Sequence, residues 1–258
     1  MLVVLKGYGL LVVMQTALWL YQLKSKNAST ADVGWSVGMV IIVCWYMVHL
    51  NGYWLREVIV FSLMLLWAIR LSYYLLDRTL KENKEDSRYT RFREKWGEKA
   101  NTNFFLVYQL QPILNIVLSV PFLIIFSNTS TQISVIEYLA VGLWCVGLIG
   151  ESLSDHQLNA FKKDPRNKGQ LCDHGLWGYS RHPNFFFEWM MWVAYFVYAL
   201  ASPHGWVAII APACMLFLLL KVTGIPIIEK ESLKRRGDVY RQYQKKTSMF
   251  IPLPKRPL

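Results

Sequence analysis

The turn Arg181-His182-Pro183-Asn184 runs directly into Phe185-Phe186-Phe187-Glu188-Trp189. A cationic, proline-broken turn therefore feeds an apolar helix that carries a carboxylate. A charge at membrane depth is costly, so Glu188 needs a partner or a polar cavity and is a functional candidate by default. The residue before a proline leaves the α region, so His182-Pro183 forces a break. Asn184 is then expected to cap the helix that follows. Its amide offers a donor and an acceptor, which equally suits a nicotinamide carboxamide. Glu188 lies one helical turn deeper on the same face. Upstream, Glu151, Asp155, Asn159 and Lys162 follow helical spacing and stack along one face. Alone they read as an ordinary polar helix end; beside the Arg181 turn they read as a binding wall.

Other segments carry chemistry less specifically. Asp32-Val33-Gly34-Trp35 opens an apolar run. It is either a helix start with an acidic first turn and an interfacial Trp, or a carboxyl at a cavity mouth that stays protonated when desolvated and donates to a carbonyl. Arg70 sits inside an apolar run, with Tyr73, Tyr74 and Arg78 beyond it. Ser87–Arg93 and Gly175–Arg181 interleave cations with rings, as a ligand bearing phosphates and flat rings requires. Tyr179 belongs to the second of these stretches, and Arg166 to the basic loop before it. In the tail, Glu229, Glu231, Arg236, Tyr240, Arg241 and Tyr243 either close over a ligand or lie on an interfacial basic helix. His156, His174 and His182, with Asp155 and Cys172, match no zinc spacing, so no metal is expected. There is no GxGxxG, P-loop or GxSxG pattern, which leaves a Rossmann fold unsupported.

The elements that must position these groups are apolar. The 258 residues are 54% hydrophobic and include 11 Trp, 14 Tyr and 13 Phe. Such a composition excludes an ordinary soluble domain and a disordered chain, and it suits aromatic belts at two interfaces. Residues 1–23 lack a basic leader and a small-residue cleavage site, so they are read as a retained span. Cys44, Cys145, Cys172 and Cys214 form no CxxC pair and read as reduced packing residues. A span takes about 20 apolar residues. Seven segments qualify: 2–23, 33–50, 53–76, 104–126, 133–154, 185–202 and 205–225. The expectation is a single all-α integral membrane domain over 1–258, with seven transmembrane helices and a cytoplasmic amphipathic tail over 226–258.

A net charge of +11 would point to nucleic acid in a soluble protein. Here its location matters more. All of the 28 basic residues except Lys6, Arg56 and Arg70 fall in or beside the regions 24–32, 77–103, 155–184 and the tail. Seven spans put these regions on one side, and the positive-inside rule makes that side cytoplasmic, with the N-terminus outside. Six or eight spans would split the charge. No nucleic-acid partner is expected. The expected partners are membrane lipids and a small lipophilic, steroid-like substrate, bound by a monomer in a bacterial inner membrane or the endoplasmic reticulum.

Asp32-Val33-Gly34-Trp35, Arg70-Leu71, Glu85-Asp86-Ser87-Arg88-Tyr89, Gly175-Leu176-Trp177 with Ser180 to Phe185 and Glu188, and Tyr240, Tyr243, Thr247 and Phe250-Ile251-Pro252 together resemble the steroid 5-alpha-reductase family, most closely its bacterial-type members. The resemblance covers nearly the whole chain and is more specific in the C-terminal half. It implies a seven-helix membrane reductase that takes NADPH from the cytoplasm and reduces the Δ4 double bond of a 3-oxo steroid or similar enone lipid. It also implies that Asp155, Asn159, Lys162, Arg181, Asn184 and Glu188 touch the cofactor, joined by Arg70, Tyr74 and Arg78 and by Tyr240 or Tyr243. Arg166, Tyr179 and His182 complete the expected cofactor set. Asp32, Glu188 and Tyr74 are the expected catalytic groups, and Asp32 and Trp35 the expected substrate contacts. The steroid enzymes carry Gln-Glu where this chain has Ala31-Asp32 or Asp32-Val33.

The residues accommodate that chemistry. Hydride passes to the enone β-carbon, and a protonated carboxyl or a Tyr hydroxyl polarises the ketone as enolate charge develops. A proton then reaches the α-carbon. The main rival is a membrane methyltransferase of the isoprenylcysteine carboxyl type, which shares the Arg-His-Pro turn but uses S-adenosylmethionine. The density of Arg and Lys favours the phosphate-rich cofactor. A non-enzymatic lipid-binding scaffold would leave Glu188 and Arg70 without a task.

Overall fold

Long apolar stretches fold as helices because a helix satisfies its own backbone hydrogen bonds where water is absent. The computed structural model describes the backbone of residues 1–82 and 85–256; the side chains of residues 74–82 and of Ser87 lie outside the described residues. Among the described residues the regular elements are helices, apart from an isolated parallel bridge between Ser180 and Ser248. It divides into two compact units, Met1–Ile133 with Ser202–Val207 and Ser134–Ala201 with Ala208–Leu258.

The first unit contains α1 (Leu2–Ser25), α2 (Thr30–His49), α3 (Trp54–Glu82), α4 (Ser87–Trp96), α5 (Ala100–Leu118) and α6 (Val120–Phe126). α2 is central and packs on α1, α3, α5 and α6. Two glycines one turn apart allow the close approach. A Cβ at Gly34 would stand 2.4 Å from the Leu18 side chain, and one at Gly38 would stand 2.4 Å from Asn115 Nδ2. That amide instead donates to the Trp35 carbonyl at 3.0 Å. Pro121 lies in the first turn of α6, and α5 and α6 meet at a bend of 41°. Beyond α6, the buried Arg56 guanidinium donates to the carbonyls of Asn128, Ser130 and Gln132 at 3.2, 2.8 and 2.9 Å.

The second unit contains α7 (Val135–Lys163), α8 (Leu176–Tyr179), α9 (Pro183–Ala199), α10 (Ile210–Phe217), α11 (Ile225–Arg236) and α12 (Asp238–Lys246), with a π-turn over Leu218–Val222. A capping box of Ser134 and Glu137 starts α7. α7 and α9 form the main helix pair of this unit. Gly147 and Gly150 set their spacing: a Cβ at Gly147 would fall 2.6 Å from Met191 Cγ, and one at Gly150 would fall 2.4 Å from the Phe187 ring. Gly237, at φ 51°, separates α11 from α12.

Among the described residues, four helices are long and apolar enough to cross a membrane: Leu2–Ser25, Thr30–His49, Val135–Lys163 and Gly205–Arg236. The bent pair Arg88–Leu118 and Val120–Phe126 makes a fifth when taken as one span. These helices point to a membrane protein. The expected span 53–76 falls in α3, which runs on past the described side chains. The expected span 185–202 falls in α9, whose 17 residues reach only about 25 Å against a hydrocarbon core of about 30 Å.

Candidate functional site

In the second unit, α9 begins at Pro183, with His182 as its N-cap residue. Proline suits that first position because its fixed φ is helical and its missing N–H would be unpaired there anyway. Asn184 is therefore inside the helix and is not the cap expected from sequence. Its side chain is free to cross to α7, where Nδ2 donates to Asp155 Oδ1 at 3.3 Å. One turn deeper, Glu188 is buried and accepts from Trp192 Nε1 at 3.0 Å. Trp144 Nε1 donates to the Tyr195 hydroxyl at 2.9 Å further along the same helix pair. Asn159 and Lys162 are exposed on α7 beyond Asp155. Of the residues expected to line a wall, Asp155 and Asn184 meet across α7 and α9, with Glu188 one turn further along α9.

The turn before α9 is held from the C-terminal side. Arg181 is buried, and its Nε donates to Glu229 Oε1 at 2.7 Å. Its Nη1 donates to the carbonyls of Gln244 and Thr247 at 3.0 and 2.8 Å. His182 Nε2 reaches the same Glu229 oxygen at 3.3 Å, and Gln244 Nε2 donates to Glu229 Oε2 at 2.8 Å. Burial pushes the His182 pKa below its ordinary value, against the raising effect of Glu229. In the neutral imidazole, an Nε2–H facing the carboxylate is the tautomer that the contact requires. Tyr240 donates weakly to Glu229 Oε1 at 3.4 Å; burial and then the Glu229 charge push its pKa up to about 12. Tyr243 donates to the Trp177 carbonyl, and burial raises its pKa as well.

A strap over residues 247–255 completes this clasp. Arg181 N donates to Ser248 O at 2.8 Å, Ser180 Oγ to Phe250 O at 2.7 Å and Leu253 N to Tyr179 O at 3.0 Å. The Phe250 ring lies against Phe186 and Trp189, with centroids at 5.6 and 5.8 Å. Several groups expected on the cofactor thus have protein partners. Arg181, His182, Tyr240 and Tyr243 hold the turn, Arg166 forms an exposed ion pair with Asp164 at 2.7 Å, and the Tyr179 ring is exposed.

The first unit holds a separate polar cluster. Asp32 Oδ2 accepts from Arg88 Nη2 at 2.7 Å, and Oδ1 accepts from the Tyr89 hydroxyl at 2.7 Å. Arg88 Nε also donates to Asp86, the N-cap of α4, at 3.1 Å. Both Asp32 oxygens thus act as acceptors in this cluster. The hydroxyl aligned here belongs to Tyr89. Glu85 binds Arg93 at 2.7 Å and accepts from Ala28 N at 2.8 Å, which fixes the segment before α2. Trp35 lies edge-to-face with Trp67 at 5.5 Å. Arg70 is half-buried on α3. The side chains of Tyr74 and Arg78 lie outside the described residues.

Sequence reasoning missed Trp192, Tyr89, Gln244 and the anchoring role of Glu229. Trp192 had a local signal, since it lies four residues beyond Glu188 on the same helix face. Glu229 had none, because its partner Arg181 is 48 positions away. Among the described residues no three His, Cys, Asp or Glu side chains are grouped to hold a metal, and all four cysteines are free.

A family model described as a protein of unknown function, DUF1295, matches residues 18–247. An uncharacterized protein of Schizosaccharomyces pombe is 25% identical over an alignment covering 95% of this chain and 78% of its own length. No solved structure matches.

Proposed function

The chain belongs to the DUF1295 family, which is steroid 5-alpha-reductase-like, and from that membership we propose that it is a seven-span, NADPH-dependent reductase of an enone lipid such as a 3-oxo-Δ4 steroid. In this reading the N-terminus is outside and the tail cytoplasmic, as the one-sided basic loops favour. The observation that carries the proposal is the Asp155–Asn184 contact across α7 and α9, with buried Glu188 one turn deeper.

These residues fit the cofactor. With Nδ2 on Asp155, the Asn184 carbonyl and second amide hydrogen match a carboxamide's donor and acceptor. Asn159, Lys162 and Arg166 are exposed polar or cationic groups on the same unit, suited to phosphate. NADPH would supply the hydride. The protein's own part is to orient that ring, exclude water and polarise the substrate carbonyl. Hydride adds to the β-carbon, negative charge gathers on the carbonyl oxygen, and a proton at the α-carbon completes the reduction.

The test is a melting measurement on purified protein, because a ligand that binds only the folded state raises the midpoint. A shift with NADPH, together with NADPH oxidation dependent on an enone steroid, supports the reductase. A shift with S-adenosylhomocysteine alone would transfer the case to a membrane methyltransferase.

A further inference from the structure

α11 and α12 pack on each other, and both expose cations. α12 buries Tyr240 and Tyr243, so helical spacing leaves Arg241 and Lys245 on the opposite side, and both are exposed. α11 directs Glu229 toward Arg181 and leaves Lys230, Lys234 and Arg235 exposed. Across the two helices the exposed carboxylate is Asp238, which pairs with Arg241 at 2.8 Å. Apolar side chains are exposed among these cations, with Ile228 at 42% and Val239 at 60%. The strap adds exposed Ile251 and Leu253. α11 also forms the C-terminal end of the Gly205–Arg236 stretch that is apolar enough to cross a membrane, so its last-turn cations Lys234 and Arg235 lie at the boundary of that stretch. Cations that meet phosphate, mixed with apolar groups that enter the acyl boundary, fit a lipid headgroup layer.

We propose that this surface docks on anionic phospholipid headgroups, and that docking steadies the two helices that supply Glu229, Tyr240 and Gln244 to the turn before α9. The occupant is identified by charge complementarity and by continuity with a membrane helix. The proposal does not depend on which cofactor the protein uses.

The test compares the full chain in nanodiscs of phosphatidylcholine alone and of phosphatidylcholine with phosphatidylglycerol, following amide hydrogen exchange over residues 225–246. Exchange should slow by about tenfold or more in the anionic bilayer, since each cation near such a surface contributes measurably. High salt should erase the gain. The combined variant Lys230→Gln, Lys234→Gln, Arg235→Gln, Arg241→Gln, Lys245→Gln should lose it, whereas exchanging Lys and Arg at the same five positions should keep it. Equal exchange in the two bilayers, a gain that survives neutralisation or a gain lost in the charge-retaining variant would each overturn the proposal.

Discussion

Arg181 donates through Nε to Glu229 at 2.7 Å while its Nη1 engages the carbonyls of Gln244 and Thr247. One guanidinium therefore ties α11, α12 and the strap to the turn that starts α9. Removing one partner of a buried pair leaves an uncompensated charge, so Arg181→Met is expected to lower stability by about 3 kcal/mol. Arg181→Lys should rescue little, because an ammonium cannot serve the same fork of acceptors. The double variant Arg181→Met, Glu229→Leu should recover most of the loss. Thermal midpoints in detergent read all three, and a midpoint unchanged in Arg181→Met would refute the clasp.

His182 gives the clasp a pH dependence. Burial holds its pKa below the ordinary 6.5. The unfolded chain therefore takes up this proton before the folded protein does. Stability from this site is complete above 6.5 and declines as the pH falls below it. Midpoints measured against pH should drop on the acid side of 6.5, and His182→Phe should flatten that limb. A slope identical in the variant would show that another group titrates.

Gly150 lets α7 approach Phe187 closely. A methyl there meets the ring at 2.4–2.6 Å. The gain in helix propensity is about 1 kcal/mol, and overpacking costs about 1–3 kcal/mol. Gly150→Ala is therefore expected to destabilise, with recovery on adding Phe187→Ala. A more stable Gly150→Ala protein would contradict the packing described.

Asp32 and Tyr89 should be energetically coupled. Tyr89→Phe and Asp32→Asn each break the contact, and a double-mutant cycle on thermal stability is expected to give a coupling of about 0.5–1.5 kcal/mol. Additive effects would remove Asp32 as the partner that orients Tyr89.

Glu188→Gln keeps an oxygen to accept from Trp192 Nε1 and should fold normally. Under the proposed reductase reading, it is expected to cut enone turnover by about 100-fold and to weaken the NADPH melting shift. Full turnover in this variant would take Glu188 out of the site.

The parts of this protein that were legible in sequence are those encoded locally. The runs 2–23 and 33–50 correspond to α1 and α2 within a few residues, because twenty apolar positions leave the backbone few alternatives. The helical spacing of Glu151, Asp155, Asn159 and Lys162 reappears as a single helix, α7. The run 104–126 hid a bend, since hydropathy does not register the change of direction before Pro121. The ionic partners of Arg181 and Asp32 were not legible, because Glu229 and Arg88 are brought to them only by tertiary packing.

The strap has a consequence for biosynthesis. Ser180 and Arg181 receive Phe250 and Ser248 as partners, so the fastening of this turn is not complete until those late residues have left the ribosome. A nascent product stalled after α12 would hold Arg181 through Glu229 and Gln244 yet lack the strap's share of the fastening. Quality-control proteases would find it there.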